Sequence, residues 1–446
     1  MAALNKIILH EAKLDTGPRW TLLAAGDFGP SNRFNETQSP DEQAGGVIDA
    51  ELQELIRKSD ISMVNMEGAL KITACPINKS GPLIQLDSAT PVILKAMGFD
   101  VVTLANNHTL DYGSDGLFAT LKACESAGLK SCGAGENLEK AMHPVELTIA
   151  DGIRVAVFDF CEQEFGIAGD SHPGTAWISH PLALSRVSAW ASLADVVVVV
   201  AHGGVEEVPF SPIQRQAQLR QFIDAGAALV IGHHPHVPQG WERHRGGIIF
   251  YSLGNFLFDY PDGVRYPKTE WGLLIQVHFC GRVLTDIELI PIETLIGQRV
   301  GLMKQDSSLQ GCLGYLQRLS SLQARPDTAL PYWQETAEYL WQTRYSPWLE
   351  HACADSRPVY ENSIRSSLAN IFQGAINKMR RQCHREENNS ASEIKDGLAL
   401  LNMIRNESHR WTIETALSVL SGDQRDFRTP EVKAEVKELL SWTTEE

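Results

Sequence analysis

No stretch of this chain is apolar for long enough to cross a bilayer. The longest uninterrupted run, Val196 to Ala201, is far short of the roughly 20 residues a spanning helix needs. Met1 to Trp20 mixes charged residues with a short apolar patch and has no secretory h-region, so neither export nor a membrane span is expected. The eight cysteines (Cys75, Cys124, Cys132, Cys161, Cys280, Cys312, Cys353, Cys383) include no C-x-x-C pair. Cysteines scattered like this read as reduced, mostly buried thiols, and the cytoplasm is the expected compartment. Positive charge is scarce too: 39 Lys and Arg stand against 55 Asp and Glu, a net charge of −16. A general phosphate-backbone binder needs a basic face, so no nucleic-acid partner is expected. No internal repeat is present.

What the chain has is a series of apolar runs that end in chemistry. Ala227 to Ile231 stops at Gly232 and opens into His233, His234 and His236. An apolar run closed by glycine reads as a buried strand ending at a turn, where Gly232 spares the chain a crowding side chain. Thr21–Ala25 runs into Gly26-Asp27, Ile61–Val64 into Asn65-Met66-Glu67, and Phe99–Leu104 into Asn106-Asn107-His108. Asp195 and five valines run into His202-Gly203-Gly204. Amphipathic segments separate these runs: Gly46–Ser59, a helix from Ser114 to Gly128, and one from Pro212 to about Ala225. Alternation of this kind calls for an α/β domain, and taken alone it suggests a doubly wound sheet. Strand ends far apart in sequence then converge along one sheet edge. Carboxylates, an amide and imidazoles together suit zinc, manganese or iron better than calcium or magnesium.

After about Leu302 glycine thins out and helical periodicity takes over, in Tyr332–Trp341, Ile364–Met379, Ile394–Ile404 and Trp411–Leu420. A last helix is capped by Thr429 with Pro430 in its first turn, and Arg380–Asn389 reads as a charged loop. The expected organisation is an N-terminal segment (1–20), an α/β domain (21–298) and a helical region (299–446) that offers an oligomer contact. Trp333, Trp341, Trp348, Trp411 and Trp442 fall at helical spacing and read as core.

The motifs Asn65-Met-Glu-Gly68, Leu104-Ala-Asn-Asn-His108 with Leu110-Asp-Tyr-Gly113, Gly133-Ala-Gly135, Gly232-His-His-Pro-His-Val237 and Tyr251-Ser-Leu-Gly-Asn-Phe256 occur in an order that resembles the CapA family. These are the capsule, or poly-γ-glutamate, synthesis proteins of bacteria, and the match runs from about Thr21 to Ile290. The resemblance implies a calcineurin-like metallophosphoesterase fold, a sandwich of two mixed sheets flanked by helices, which replaces the doubly wound expectation. It implies metal ligation by Asp27, Glu67 in a bridging position, Asn107, His202, His234 and His236. Catalytic roles fall to His108, as proton or hydrogen-bond donor, and to its neighbour Asn106 and the extra histidine His233. Gly203 and Asn255 become substrate contacts. Two departures stand out. The Asp-x-His usual at the first strand is Asp27-Phe28-Gly29, which removes one ligand, and Gly203 stands where a tryptophan is typical, which would open the pocket.

The expected activity is a metal-assisted hydrolase using one or two Mn, Zn or Fe ions on a phosphoester or a glutamyl or peptide amide. Its substrate would be a small molecule, a peptide or a polymer. Two alternatives use the same scaffold. One is a metal-independent peptide epimerase, which would need no ion. The other is a non-catalytic component of anionic-polymer assembly.

Overall fold

The computed structural model describes residues 6–8, 17–34, 37–70, 76–260, 268–294, 299–303, 307–349 and 391–440. The expected helix Ile364–Met379, the loop Arg380–Asn389, Trp442, Cys75, Cys353 and Cys383 lie outside them.

Two mixed sheets face each other. The nine-stranded sheet runs, in spatial order, Lys6–Ile8, Val283–Thr294, Trp271–Cys280, Arg19–Gly29, Ile61–Met66, Val101–Thr103 and Lys130–Cys132. Asn255–Phe258 pairs with Arg19–Gly29, and Val300–Leu302 with Val283–Thr294. The six-stranded sheet runs Trp241–His244, Gly247–Phe250, Leu229–His233, Val196–His202, Arg154–Cys161 and Val145–Thr148. Its four central strands are parallel.

Period-two alternation decides what each strand face meets. Leu22, Ala24, Ile61, Met63 and Val101 from the larger sheet join Val155, Val157, Val198, Val200, Leu229 and Ile231 from the smaller one in the core between the sheets. The opposite residues, Leu23, Ala25, Val64 and Val102, pack under Leu52 and Ile56 of helix Ala50–Lys58, with Ile93, Leu94 and Leu117. Phe158, Phe160, Val197 and Val199 pack under Val187, Leu219 and Phe222. The result is the sandwich of two mixed sheets flanked by helices that the resemblance implied. Alternating strands and helices could not by themselves distinguish one sheet from two, because both arrangements bury such strands on both faces.

The C-terminal helices Ser307–Gln323, Pro326–Leu340, Ala391–Arg405, Glu407–Leu420 and Pro430–Leu440 lie against this sandwich. Cys312, Leu313 and Leu316 enter the inter-sheet core itself. Trp333, Leu340 and Tyr345 pack on Val205 and Val208, just past the Val196–His202 strand. Trp333 is core, as expected, and its Nε1 donates to Thr415 Oγ1 at 3.2 Å. No helix among the described residues is long and apolar enough to cross a membrane.

Candidate functional site

The C-terminal ends of the central parallel strands from both sheets meet along one edge. Asp27 reaches it through a β-bulge. Strand register runs Ala25↔Val64 and then Asp27↔Asn65, so Gly26 is the extra residue. Strict alternation would point Asp27 at the helix layer with Leu23 and Ala25, and the bulge turns it inward beside Asn65. A side chain at position 26 would place Cβ 2.0 Å from Gly254 O. On the next strand the Glu67 N–H donates to Phe28 O at 2.9 Å, which locks the two strand ends together. His202 and His233 are register partners at the ends of adjacent strands.

Gly232 has a different role from the one expected. It lies inside its strand, and its missing side chain leaves room for Tyr251 O, 2.0 Å from where a Cβ would sit. The turn's unusual backbone falls on histidines: φ is +96° at His234 and +58° at His236. Left-handed backbone at a non-glycine residue costs on the order of 1–3 kcal/mol and concentrates at functional sites.

Glu67 is the centre of the cluster. Its Oε1 lies 3.6 Å from His202 Nε2, 3.8 Å from His236 Nε2 and 4.0 Å from His108 Nε2. Both its carboxylate oxygens are buried and have no hydrogen-bond partner among the described residues. Two groups of potential metal ligands share it: Glu67, His202 and His234, and Asp27, Glu67 and His236. Around the first group His202 Nε2 lies 3.1 Å from Asn107 Oδ1 and 3.2 Å from His234 Nδ1. Ligands about 2.1 Å from an ion stand roughly 3.0–3.4 Å apart, a spacing that these two pairs share with ordinary hydrogen bonds, while Glu67 Oε1 stands slightly wider at 3.6 Å from His202. The second group lacks the histidine that would follow Asp27. A side chain at Gly29 would bring Cβ to 2.5 Å from the Phe258 ring, so an aromatic fills that space.

Electrostatics favours ligand-ready side chains. Burial, reinforced by His234, His233 and His236, holds His202 well below the ordinary histidine range. Burial also takes His234 down to about 3, with His236 in the same sense and Glu206 opposing. Neutral imidazole is the ligating form. Burial, then Asp27 and Glu206, push Glu67 well above the carboxylate range. Asp27 is held below that range despite its burial, because His233, His236 and Asn65 favour its charge.

Several expected roles change. The Asn106 amide is spent on the framework: Nδ2 donates to Met66 O at 3.0 Å, and Oδ1 accepts from His108 N at 3.2 Å and Thr109 Oγ1 at 3.0 Å. It shapes the loop and is not placed to do catalysis. His233 turns toward Asp27, its Nδ1 2.9 Å from Oδ1, and not toward Glu67. Asn255 is occupied with protein partners: Nδ2 donates to Thr269 O at 3.0 Å, which leaves Oδ1 to accept from His236 Nδ1 at 2.9 Å. It therefore fixes the His236 tautomer and presents Nε2 to Glu67, where a substrate contact was expected. Gly203 opens no pocket, because a Cβ there would fall 1.7 Å from Arg215 Nη2, whose guanidinium pairs with Glu162 at 2.9 Å. His108 Nδ1 lies 2.7 Å from Asp111 Oδ2 and 3.1 Å from Lys79 Nζ, while Lys79 Nζ donates to Asp111 Oδ1 at 2.6 Å. Burial and Lys79 hold His108 below the ordinary histidine range, and its Nε2 faces Glu67.

Asn65, Lys79, Asp111 and Glu164, to which the sequence assigned no role, also border the site. Asn65 Nδ2 donates to Asp27 Oδ1 at 2.8 Å and lies 3.3 Å from His202 Nδ1. It sits two residues before Glu67 in a strand, a spacing that could have revealed it. Asp111 follows His108 by three residues in a turn closed by the bond from Asp111 N to His108 O, 3.1 Å. Glu164 lies 3.9 Å from His234 Nε2, and burial, then Glu206, push it up to about 8 against Lys79.

Glu164 sets a pH dependence. A carboxyl with a raised folded pKa stabilises the fold fully below its unfolded value and loses that contribution as pH climbs through the folded one. Lowered histidines act in the opposite sense, but only below their ordinary value of 6.5. Chelated protein is therefore expected to lose thermal stability from pH 6.5 to about 8, and Glu164→Gln to flatten that slope. A melting temperature that rises over this interval would contradict the assignment.

Two mixed sheets flanked by helices, with carboxylates and imidazoles gathered at their shared edge, define an α/β-sandwich class of protein with a buried polar cluster at its strand ends. Within it, the model of the family described as "Bacterial capsule synthesis protein PGA_cap" matches residues 21–260, more than half of the chain, which belongs to that family. It is 37% identical over 206 residues to "Capsule biosynthesis protein CapA" of Bacillus anthracis, covering 45% of this chain and 49% of that one. To "PGA biosynthesis protein CapA" of Bacillus subtilis (strain 168) it is 34% identical over 213 residues, covering 47% and 55%. The chain thus spans about half the length of the curated relatives it matches. A solved 5'-nucleotidase from Candida albicans SC5314 is similar over 71% of this chain and 58% of that one, at 13% identity and a TM-score of 0.35, too low to bear weight.

Proposed function

We propose that this protein is a metal-assisted hydrolase of capsule or poly-γ-glutamate metabolism, cleaving a phosphoester or a glutamyl or peptide amide. The observation that carries this reading is Glu67: a buried carboxylate with two partnerless oxygens among converging nitrogen and oxygen donors. Leaving such a group unsatisfied is costly, and a cation is the chemistry that satisfies it. Glu67, Asn107, His202 and His234 would hold a transition-metal ion, with Asp27 and His236 beside them. The ion would supply Lewis-acid polarisation and a water of lowered pKa. His108 accepts a proton at Nε2, Asp111 and Lys79 fix its ring, and Asn65 ties Asp27 to His202.

Elemental analysis of the purified protein is expected to find Mn, Zn or Fe near one ion per chain, because Phe258 occupies the space of the second position's missing ligand. His234→Ala should lose the ion and roughly a hundredfold or more in turnover on generic phosphodiester or peptide substrates. Full activity of a metal-free preparation would overturn the reading.

One observation favours the metal-independent epimerase as a second reading. Without an ion, burial and Asp27 favour the protonated form of Glu67, and His108 Nε2 stands 4.0 Å away. That is an acid and a base for exchanging a Cα proton. Deuterium incorporation into a candidate peptide, unaffected by chelator, would establish it.

A further inference from the structure

The family match stops at residue 260, yet the helix Glu407–Leu420 reaches into the site. Asn406, Glu407 and Ser408 at its start are buried, with Asn406 fully inaccessible. Polar residues at a helix start usually face water, and a glutamate is almost never buried unless paired. Here each one grips the loop after strand Arg154–Cys161. Asn406 Nδ2 donates to Glu164 Oε1 at 3.0 Å, and Ser408 Oγ to Glu162 Oε1 at 2.5 Å. Glu407 accepts from Gln163 N at 3.0 Å, Trp177 Nε1 at 2.7 Å and Ser179 Oγ at 2.6 Å. Glu164 then stands 3.9 Å from Nε2 of His234, whose Nδ1 faces His202. A second contact flanks the histidine turn. The π-helical turn Trp341–Tyr345 brings Arg344 to Glu207 at 3.0 Å, the Glu207 N–H donates to Pro235 O, and Tyr345 meets His409 at 2.8 Å. Single π-turns are frequent at functional sites.

We propose that the C-terminal helical region tunes the metal affinity of the site, with Asn406 as the positioning residue that holds Glu164 against the outer nitrogen of His234. This rests on the metal-bearing reading of the site. At 3.9 Å Glu164 is in ion-pair and not direct hydrogen-bond range of that nitrogen; a carboxylate there favours the ligating histidine electrostatically, and losing the partner of a ligating histidine costs up to about 10–100-fold in metal affinity. Asn406 also caps its helix, its Oδ1 accepting from His409 N at 3.0 Å, so a test must spare the cap. Asn406→Ser does so, because serine caps as well but is too short to reach Glu164. Asn406→Asp also caps, and it sets a second acceptor against Glu164.

The test is titration of chelated, full-length protein with MnCl2 by calorimetry. Asn406→Ser is expected to bind Mn2+ about tenfold more weakly at unchanged stoichiometry, and Asn406→Asp more weakly still. Glu164→Gln should match the loss, and the Asn406→Ser/Glu164→Gln double variant should add little to it, a coupling that a purely structural role would not produce. Wild-type affinity in both Asn406 variants, or additive losses, would overturn the proposal while leaving the metal site intact. No Mn2+ uptake by the wild type would overturn the metal reading itself, and this inference with it.

Discussion

Glu67→Gln is expected to abolish turnover and, in the same molecule, to make the metal-free protein more stable. The two effects have one cause. Glu67 belongs to both groups of potential ligands, so a neutral amide there weakens every arrangement the cluster offers an ion. Loss of the charge that holds the ion should cost roughly a thousandfold in rate. In the absence of metal, however, the carboxylate is a liability: burial and Asp27 disfavour its charge, and neither oxygen has a partner among the described residues. Glutamine keeps the volume and is neutral without having to take up a proton, which should recover about 1–3 kcal/mol in the chelated protein at neutral pH. The measurement is a paired one, thermal melts with chelator beside turnover and metal content. A variant that is inactive and also less stable without metal would mean that Glu67 is a structural carboxylate satisfied by the protein itself.

Gly232→Ala should be among the most damaging single substitutions in the chain. The added carbon would stand 2.0 Å from Tyr251 O and 2.6 Å from Tyr251 C. Both are backbone atoms of the segment that follows the neighbouring parallel strand, so no side-chain rotation relieves the clash. Separating the strands would also disturb the bond from Gly203 N to His233 O, 2.9 Å, at the edge of the site. A loss of about 3 kcal/mol or more is expected, enough to remove most soluble protein. Gly45→Ala is the control. It lies in the helix Pro40–Val47 with nothing within 4 Å of the new carbon, and it should stabilise by about 0.5–1 kcal/mol. Equal denaturation midpoints for the two variants would refute the steric account.

The strand ends were legible in the sequence because burial writes itself into composition. Five apolar runs each closed on a polar residue, and Asp27, Glu67, Asn107, His202 and the histidine turn do meet. Roles were harder to read than places. Whether Asn255 meets substrate or orients His236 depends on Thr269 O, which occupies the other end of its amide. Gly203 looked like an opening because the residue that fills the space, Arg215, comes from a helix elsewhere in the chain. Asp27 faces the site through a bulge, and alternation alone would have turned it away. Asn406 and Glu407 had no local signal beyond a helix cap, since their importance comes from docking across 242 and 244 positions of sequence.

The backbone at His234 and His236 carries a last consequence. Both residues sit at dihedral angles that glycine or asparagine would adopt more easily. Backbone preference therefore gives no reason for histidine at either position, and under the proposed function it is ligation that favours it there. In a copy of this gene released from that chemistry, drift would carry both positions toward glycine or asparagine. Gly26 and Gly232, which the backbone itself requires, would stay. A descendant that kept those glycines and lost these histidines would have kept the fold and given up the proposed site, a loss recognisable from its sequence before any assay.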